Sequence, residues 1–272
     1  MSEWNFMDPQ SKDNLLRVVR QEAEQMFALA TPPEAWEAPT GAGHWQVRDV
    51  VGHLVDTTEA YFVSFDAARG RGEGPEPLGL VGMAKHVDDG AQAFRGTSQA
   101  EMLSRLRADY EKATGIFEEL TDDEWTNLQV PHKFMGPLPA FFYPIFQLVD
   151  YGIHSWDIRE GTGKAHALSA AAADFLAPLG FILWQATAQC QPEDEAYSIG
   201  VRITSGPNAG DTRLDVSPAG LAYEPANLDG VPTVLEFDPA SCILTAYGRI
   251  NGGTVRGDTE LAGRFLNLCH RI

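Results

Sequence analysis

From residue 11 to about residue 161 the apolar positions recur at helical spacing. Over residues 11–30, Leu15, Leu16, Val19, Ala23, Met26 and Phe27 share one face, and Pro32-Pro33 ends the segment because proline cannot continue the hydrogen-bond ladder. A loop rich in Pro, Gly and Ala follows. A second helix is predicted within HWQVRDVVGHLVDTTEAYFVSFDAARG, with Val47, Val51, Leu54, Tyr61 and Phe65 on its apolar face. His53 stands at the margin of that face, with Asp49 and Asp56 close in sequence. The run GRGEGPEPLG reads as a turn-rich loop and not a phosphate loop, since no strand precedes it and no Gly-Lys-Ser/Thr follows. A third helix starts at Ser98-Gln99-Ala100-Glu101, where serine and glutamate can satisfy each other's backbone donors. It carries Met102, Leu103, Leu106, Tyr110, Ile116 and Phe117, and Thr121-Asp122-Asp123-Glu124 repeats the capping pattern before Trp125. Residues 130–144, with four prolines, lead into a fourth helix within FFYPIFQLVDYGIHSWDIREG. Four amphipathic helices with two long connections predict a four-helix bundle.

Beyond this point the period changes. An alanine-rich, apolar helix is predicted from Ser169 to about Cys190. After QPEDE, residues 197–204, 212–216 and 221–223 alternate with period two and are separated by SGPNAGD and SPAG, which reads as antiparallel strands. Residues 233–237 form a further strand and 239–247 a helix, and Asp258 caps a last helix holding Leu261, Phe265 and Leu268. The predicted fold class is therefore α followed by α+β. A helical bundle spans residues 1–165, and a smaller α+β domain spans 166–272, beginning with a linking helix.

Composition narrows the function. At 272 residues with 44% apolar content, the chain can bury a substantial core and falls in the range of soluble globular proteins. The longest apolar run, residues 170–182, is too short for a bilayer and carries Asp174, and the N-terminus lacks a secretory pattern. Cys190, Cys242 and Cys269 form no CxxC pair and no even-numbered framework, so a reducing cytoplasm is expected. The net charge of −18 opposes nucleic acid and anionic membranes as partners, while leaving room for a small anionic substrate held by local arginines or a metal.

Chemistry concentrates on the fourth helix. Asp150 and His154 lie one turn apart on one ridge and Asp157 follows on it, between the apolar residues Phe146, Val149 and Ile153 on one side and Tyr151 and Ile158 on the other. A carboxylate and an imidazole in such surroundings need a partner. A metal ion is one candidate, and His53 would supply a third ligand, leaving the open position that catalytic zinc sites keep. Asp157 can orient an imidazole from behind, or pair with Arg159 or Lys164 at the surface. The remaining histidines, His44, His86, His132, His166 and His270, fall in loops or near ends and are expected to be ordinary surface residues. No His-Glu-x-x-His, Gly-x-Ser-x-Gly or paired Glu-x-x-His pattern occurs, and nothing activates a cysteine nucleophile.

Three stretches carry a resemblance: HWQVRDVVGHLVD, LVDYGIHSWDIREG and AYGRINGGTVRGDTELAGRFL. Together, and in this order, they resemble the mycothiol-dependent maleylpyruvate isomerase family over nearly the whole chain. The resemblance implies a DinB-like metal-binding four-helix bundle joined to a C-terminal domain similar to sterol carrier protein. It places His53 and His154 on the family's metal-ligand histidines and Asp150 on its carboxylate ligand. The family more often has glutamate there. The shorter aspartate implies closer helices, a bridging water or weaker metal binding. Arg249 looks like the arginine that faces the family's active site, with Arg256 as the other candidate.

The expected function is then that of a metal-dependent enzyme, with zinc or another divalent ion held by His53, Asp150 and His154. Mycothiol is the thiol cosubstrate that the resemblance implies, used for isomerisation or S-transfer on a small electrophile such as maleylpyruvate. Zinc suits imidazole ligands and accepts a soft thiolate, and Arg249 is the residue expected to hold a substrate carboxylate. Two other readings stand beside it. One is a non-catalytic protein that binds an apolar ligand in its C-terminal domain, with a structural or absent metal. The other is a metal-dependent hydrolase that uses bound water.

Overall fold

The structure is a computed structural model that describes residues 2–164, 167–193 and 195–269. His166, His270 and the expected boundary at residue 165 lie outside the described residues. The chain forms two compact units, Ser2–Leu168 and Ser169–Ile272.

The first unit is built on four long helices: α1 (Lys12–Ala30), α2 (Val47–Ala68), α4 (Gln99–Glu118) and α6 (Phe142–Gly161). Between them run the shorter α3 (Met83–Gln92) and α5 (Asp122–Asn127) and a hairpin of β1 (Gln129–His132) and β2 (Gly136–Pro139). Helix α1 packs on α6, and α2 packs on α3, α4 and α6. Their shared core takes the predicted apolar stripes, including Leu15, Met26, Val51, Leu54, Phe65, Leu106, Phe117 and Ile153, all buried. Ser98 Oγ accepts the Glu101 N–H at the start of α4, and Thr121 and Glu124 form the full reciprocal box at α5. Each such cap stabilises its helix by about 1 kcal/mol. Trp125, expected on that short turn, is fully buried, and its Nε1 donates to the Phe6 carbonyl at 3.1 Å.

Two of these elements were not expected. Helix α3 has a single buried residue, Ala91, so it carries no apolar stripe to announce it. The hairpin carries Pro131, Pro137 and Pro139, which argue against strands in sequence. A two-stranded ribbon has only edges, so proline fits there, and Gly136 turns the chain at φ +77°.

The second unit contains α7 (Ala170–Thr187), β3 (Tyr197–Ile203), β4 (Gly210–Ser217), β5 (Gly220–Pro225), β6 (Thr233–Phe237), α8 (Pro239–Ala246), β7 (Thr254–Gly257) and α9 (Thr259–Leu266). The five strands run in the order β5-β4-β3-β6-β7. Strands β3, β4 and β5 are antiparallel as expected. Strand β6, expected as a further strand with no direction assigned, lies parallel to β3, with Gly200 opposite Val234, and the unexpected β7 closes the edge antiparallel to β6. Alternation reveals which face a residue takes and not which way its strand runs.

One sheet face packs Ile199, Val201, Ile203, Leu214, Val216, Leu235 and Phe237 with Phe181, Trp184, Ala262 and Phe265 of the helices. The other face carries ion pairs, among them Arg202 with Asp211 and Glu236. Helix α7 ends at Thr187, a little before the expected end near Cys190. Its 18 residues, with a mean hydropathy of 1.2, are long and apolar enough to cross a membrane, but 61% of it is buried within the structure. It packs against α8 and β5, as a core helix does.

Candidate metal centre

Helices α2 and α6 bring His53, Asp150 and His154 together: one ligand atom from each lies within 4.8 Å of the others. His53 Nε2 is 3.5 Å from Asp150 Oδ1, and the two imidazole rings meet edge to face with centroids 5.1 Å apart. Two ligands on one tetrahedral zinc stand about 3.3 Å apart, given bond lengths near 2 Å. The His53–Asp150 spacing therefore suits a shared ion without rearrangement. Both histidines are nearly buried and the Asp150 side chain is 14% exposed. That places three donor groups that could hold a metal ion together at the edge of the core.

The supporting residues fix how these side chains point. Asp157 Oδ2 lies 2.8 Å from His154 Nδ1, and Asp157 is fully buried. Of the roles open to Asp157, the buried contact with His154 fits the one that orients an imidazole, and Arg159 donates to Gln25 at 2.7 Å. A carboxylate only accepts, so His154 carries its proton on Nδ1 and keeps the Nε2 lone pair for a metal. Thr57 Oγ1, one turn along α2, lies 3.3 Å from His53 Nδ1, leaving Nε2 toward Asp150.

Trp45 packs over both histidine rings, at 5.3 Å from His53 and 5.8 Å from His154. Its Nε1 donates to Asp88 Oδ1 at 2.8 Å, and Gln92 and His44 contact the same oxygen. The hydrogen bond from Trp45, then that from Gln92, holds the Asp88 carboxyl below the usual carboxylate range. Asp88 belongs to α3, which crosses α2 at Gly52. A Cβ on Gly52 would sit 2.4 Å from the Ala91 carbonyl oxygen, so only glycine permits the crossing. At the other end of α6, a Cβ on Gly161 would meet the Pro39 carbonyl at 2.2 Å, and the loop there donates the Gly41 N–H to the Asp157 carbonyl.

The carboxylates near His53 in sequence do other work. Asp49 is fully buried, accepts the Gln46 N–H at the start of α2 and takes Arg95 on both oxygens at 2.7 and 2.9 Å. Asp56 faces Lys133 Nζ at 3.6 Å. His44 and His86 are exposed. His132 differs from its expected surface position: it ends β1, half-buried, and burial pushes its imidazole down to about 4. Arg249 lies in the second unit just after α8, its Nη1 donating to the Tyr247 carbonyl at 3.1 Å. Arg256 is on β7, paired with Glu236 at 2.6 Å.

Trp45, Asp88, Thr57 and His132 received no role from sequence reasoning. Trp45 lay within a quoted motif, and its place eight residues before His53 was the signal available.

Comparison with known proteins agrees with this architecture. The family described as "Mycothiol maleylpyruvate isomerase N-terminal domain" matches residues 19–159. Two solved structures, of a mycothiol-dependent maleylpyruvate isomerase and of a histidine-to-alanine mutant of that enzyme, superpose with TM-scores of 0.60 and 0.59. Each is 12% identical, and the match covers 96% of this chain and 97% of the other. No curated protein is significantly similar in sequence. Shared fold across the chain and a family match over more than half of it lead to one conclusion: the chain belongs to the mycothiol maleylpyruvate isomerase N-terminal domain family, a family of enzymes.

Proposed function

We propose that this protein is a metal-dependent, thiol-using enzyme that acts on a small unsaturated carbonyl acid of the maleylpyruvate class, with mycothiol as the thiol and zinc as the ion. The observation that carries this reading is the placement of three ligand atoms within 4.8 Å, one of them on an imidazole oriented by a buried carboxylate. Three protein ligands suit a catalytic zinc better than the four of a closed structural site.

His53, Asp150 and His154 would hold the ion through His53 Nε2, an Asp150 oxygen and His154 Nε2. Bound together, a divalent ion and the thiol supply a thiolate near neutral pH, whose reversible addition to an activated double bond permits rotation about that bond. If sulfur stays attached, the same site performs S-transfer. Asp157 keeps His154 in the ligating tautomer, and the Trp45 ring shields both imidazoles from water and limits their rotation. Arg249 is the residue we assign to a substrate carboxylate, by a two-point contact. Cys190, Cys242 and Cys269 are not joined in disulfides, which suits a reducing, cytoplasmic setting.

The test is the metal content of the purified protein beside His53→Ala and His154→Ala, with folds checked by circular dichroism, followed by turnover of maleylpyruvate with and without mycothiol. Near-stoichiometric zinc in the wild type, lost in both folded variants, with turnover only when the thiol is present, is the expected result. A wild type that takes up no metal after zinc reconstitution would overturn the reading. Turnover without any thiol would replace it with metal-dependent hydrolysis.

A further inference from the structure

The hairpin β1–β2 lies against the same two helices that carry the candidate ligands. Lys133 reaches Asp56, three residues beyond His53 on α2. Tyr143, in the first turn of α6, donates its hydroxyl to the carbonyls of Val130 and Pro131 at 3.3 and 3.0 Å. Between these anchors, the His132 ring packs on Phe146 at 5.6 Å and on Tyr143 at 6.1 Å. Phe146 stands one turn before Asp150 on α6, so the His132–Phe146 contact places the imidazole near the turn that carries Asp150.

The hydrogen bonds of His132 define its tautomer. Its Nδ1 faces two backbone donors, the N–H groups of Phe134 at 3.2 Å and Met135 at 3.3 Å. A nitrogen that accepts from two N–H groups carries no proton, so the ring proton resides on Nε2. Nε2 has no hydrogen-bond partner among the described residues. A half-buried imidazole thus presents one N–H, fixed by its own hairpin, beside the helix turn that carries Asp150.

We propose that His132 is a substrate-binding hydrogen-bond donor of this site, its Nε2–H meeting the ketone oxygen conjugated to the double bond of the substrate. This rests on the function proposed above. That oxygen takes up the electron pair of the double bond when the S–C bond forms and returns it when the S–C bond breaks. A donor aimed at it therefore stabilises the charged state more than the neutral one. His132 keeps its proton throughout, and no other reactant is needed.

The competing role is purely structural, with His132 serving only to pin the hairpin through Nδ1. Two substitutions separate the roles. His132→Asn puts an amide oxygen near the position of Nδ1 and can keep the bonds to Phe134 and Met135, while losing the Nε2 donor. His132→Gln puts an amide N–H near Nε2 and gives up the backbone contacts. The expected result is that His132→Asn keeps the wild-type melting temperature and metal content but loses about tenfold or more in kcat. His132→Gln should retain most of kcat despite a lower melting temperature. Wild-type kcat in His132→Asn would overturn the proposal.

A second measurement does not depend on turnover. Acetylpyruvate, which has the diketo acid but lacks the double bond, is titrated into the zinc-reconstituted protein labelled with 15N-histidine. A shift of the His132 Nε2 resonance supports the proposal and its absence overturns it. If thiol-dependent turnover is missing in the wild type, the function proposed above fails, and this titration still decides the role of His132.

Discussion

Asp157 Oδ2 lies 2.8 Å from His154 Nδ1, both on one ridge of α6, and Asp157 is wholly buried while His154 is nearly so. The bond does two things: it selects the tautomer that leaves Nε2 for a metal, and it makes the imidazole a better donor. Loss of such a partner typically lowers metal affinity by about 10–100-fold. Asp157→Ala is expected to show a loss in that range, measured by zinc competition with a chromophoric chelator. Asp157→Asn, whose amide oxygen can still accept from Nδ1–H, should lose less. Equal affinity in wild type and Asp157→Ala would mean that His154 is held by packing alone.

One turn before His53, Asp49 anchors the start of α2. Its burial works to raise the carboxyl, but the hydrogen bonds from Arg95 and the Gln46 N–H outweigh it, so the folded-state pKa lies below the ordinary carboxylate value. A depressed folded pKa gives stability that is present above the unfolded value, about 4, and is lost as pH falls through the folded one. Asp49→Asn is therefore expected to cost about 2 kcal/mol near neutral pH, with the gap to wild type closing in acid. Urea unfolding of both proteins between about pH 6 and about pH 3 checks this. A gap that stays constant across the range would exclude the carboxylate's charge as its source.

The long helices of the first unit and the Asp150–His154 ridge follow from periodicity, because each long helix buries a stripe and the two α6 residues are four apart. What surrounds the site does not follow so easily. Helix α3 buries only Ala91 and looks like a polar loop in sequence, yet it supplies Asp88 to Trp45. The hairpin that places His132 is hidden by three prolines, which a two-stranded ribbon tolerates. Strand β6 looked like its neighbours because alternation does not encode direction. Long-range pairings such as Trp45 with Asp88 and Arg95 with Asp49 depend on where α3 and its C-terminal loop dock, and nothing local in the chain specifies that.

Docking of α3 is itself testable at Gly52. A methyl group there would lie 2.4 Å from the Ala91 carbonyl oxygen, inside any real contact, and the obstacle is backbone that cannot rotate away. Gly52→Ala should therefore push α3 from α2, cost about 1–3 kcal/mol of stability and loosen the Trp45–Asp88 bond. Thermal unfolding reads the first effect, and the Trp45 indole N–H resonance reads the second. Unchanged stability would mean that α3 docks independently of this crossing.

The last prediction concerns Asp150, where glutamate is the more frequent residue in the family that the sequence resembles. Its Oδ1 is already 3.5 Å from His53 Nε2, close to the separation of two ligands on one tetrahedral ion. At this spacing the shorter side chain would reach a shared ion without a bridging water. Asp150→Glu adds a methylene in a space set by α2, α6 and the Trp45 ring, so it should bind zinc more weakly than wild type, though more tightly than Asp150→Ala. Competition titrations of the three proteins test that order. Tighter binding by Asp150→Glu would show that the wild-type aspartate stops short of the ion and reaches it through water. The weaker binding of the native site would then be a property of this chain, traceable to one missing methylene.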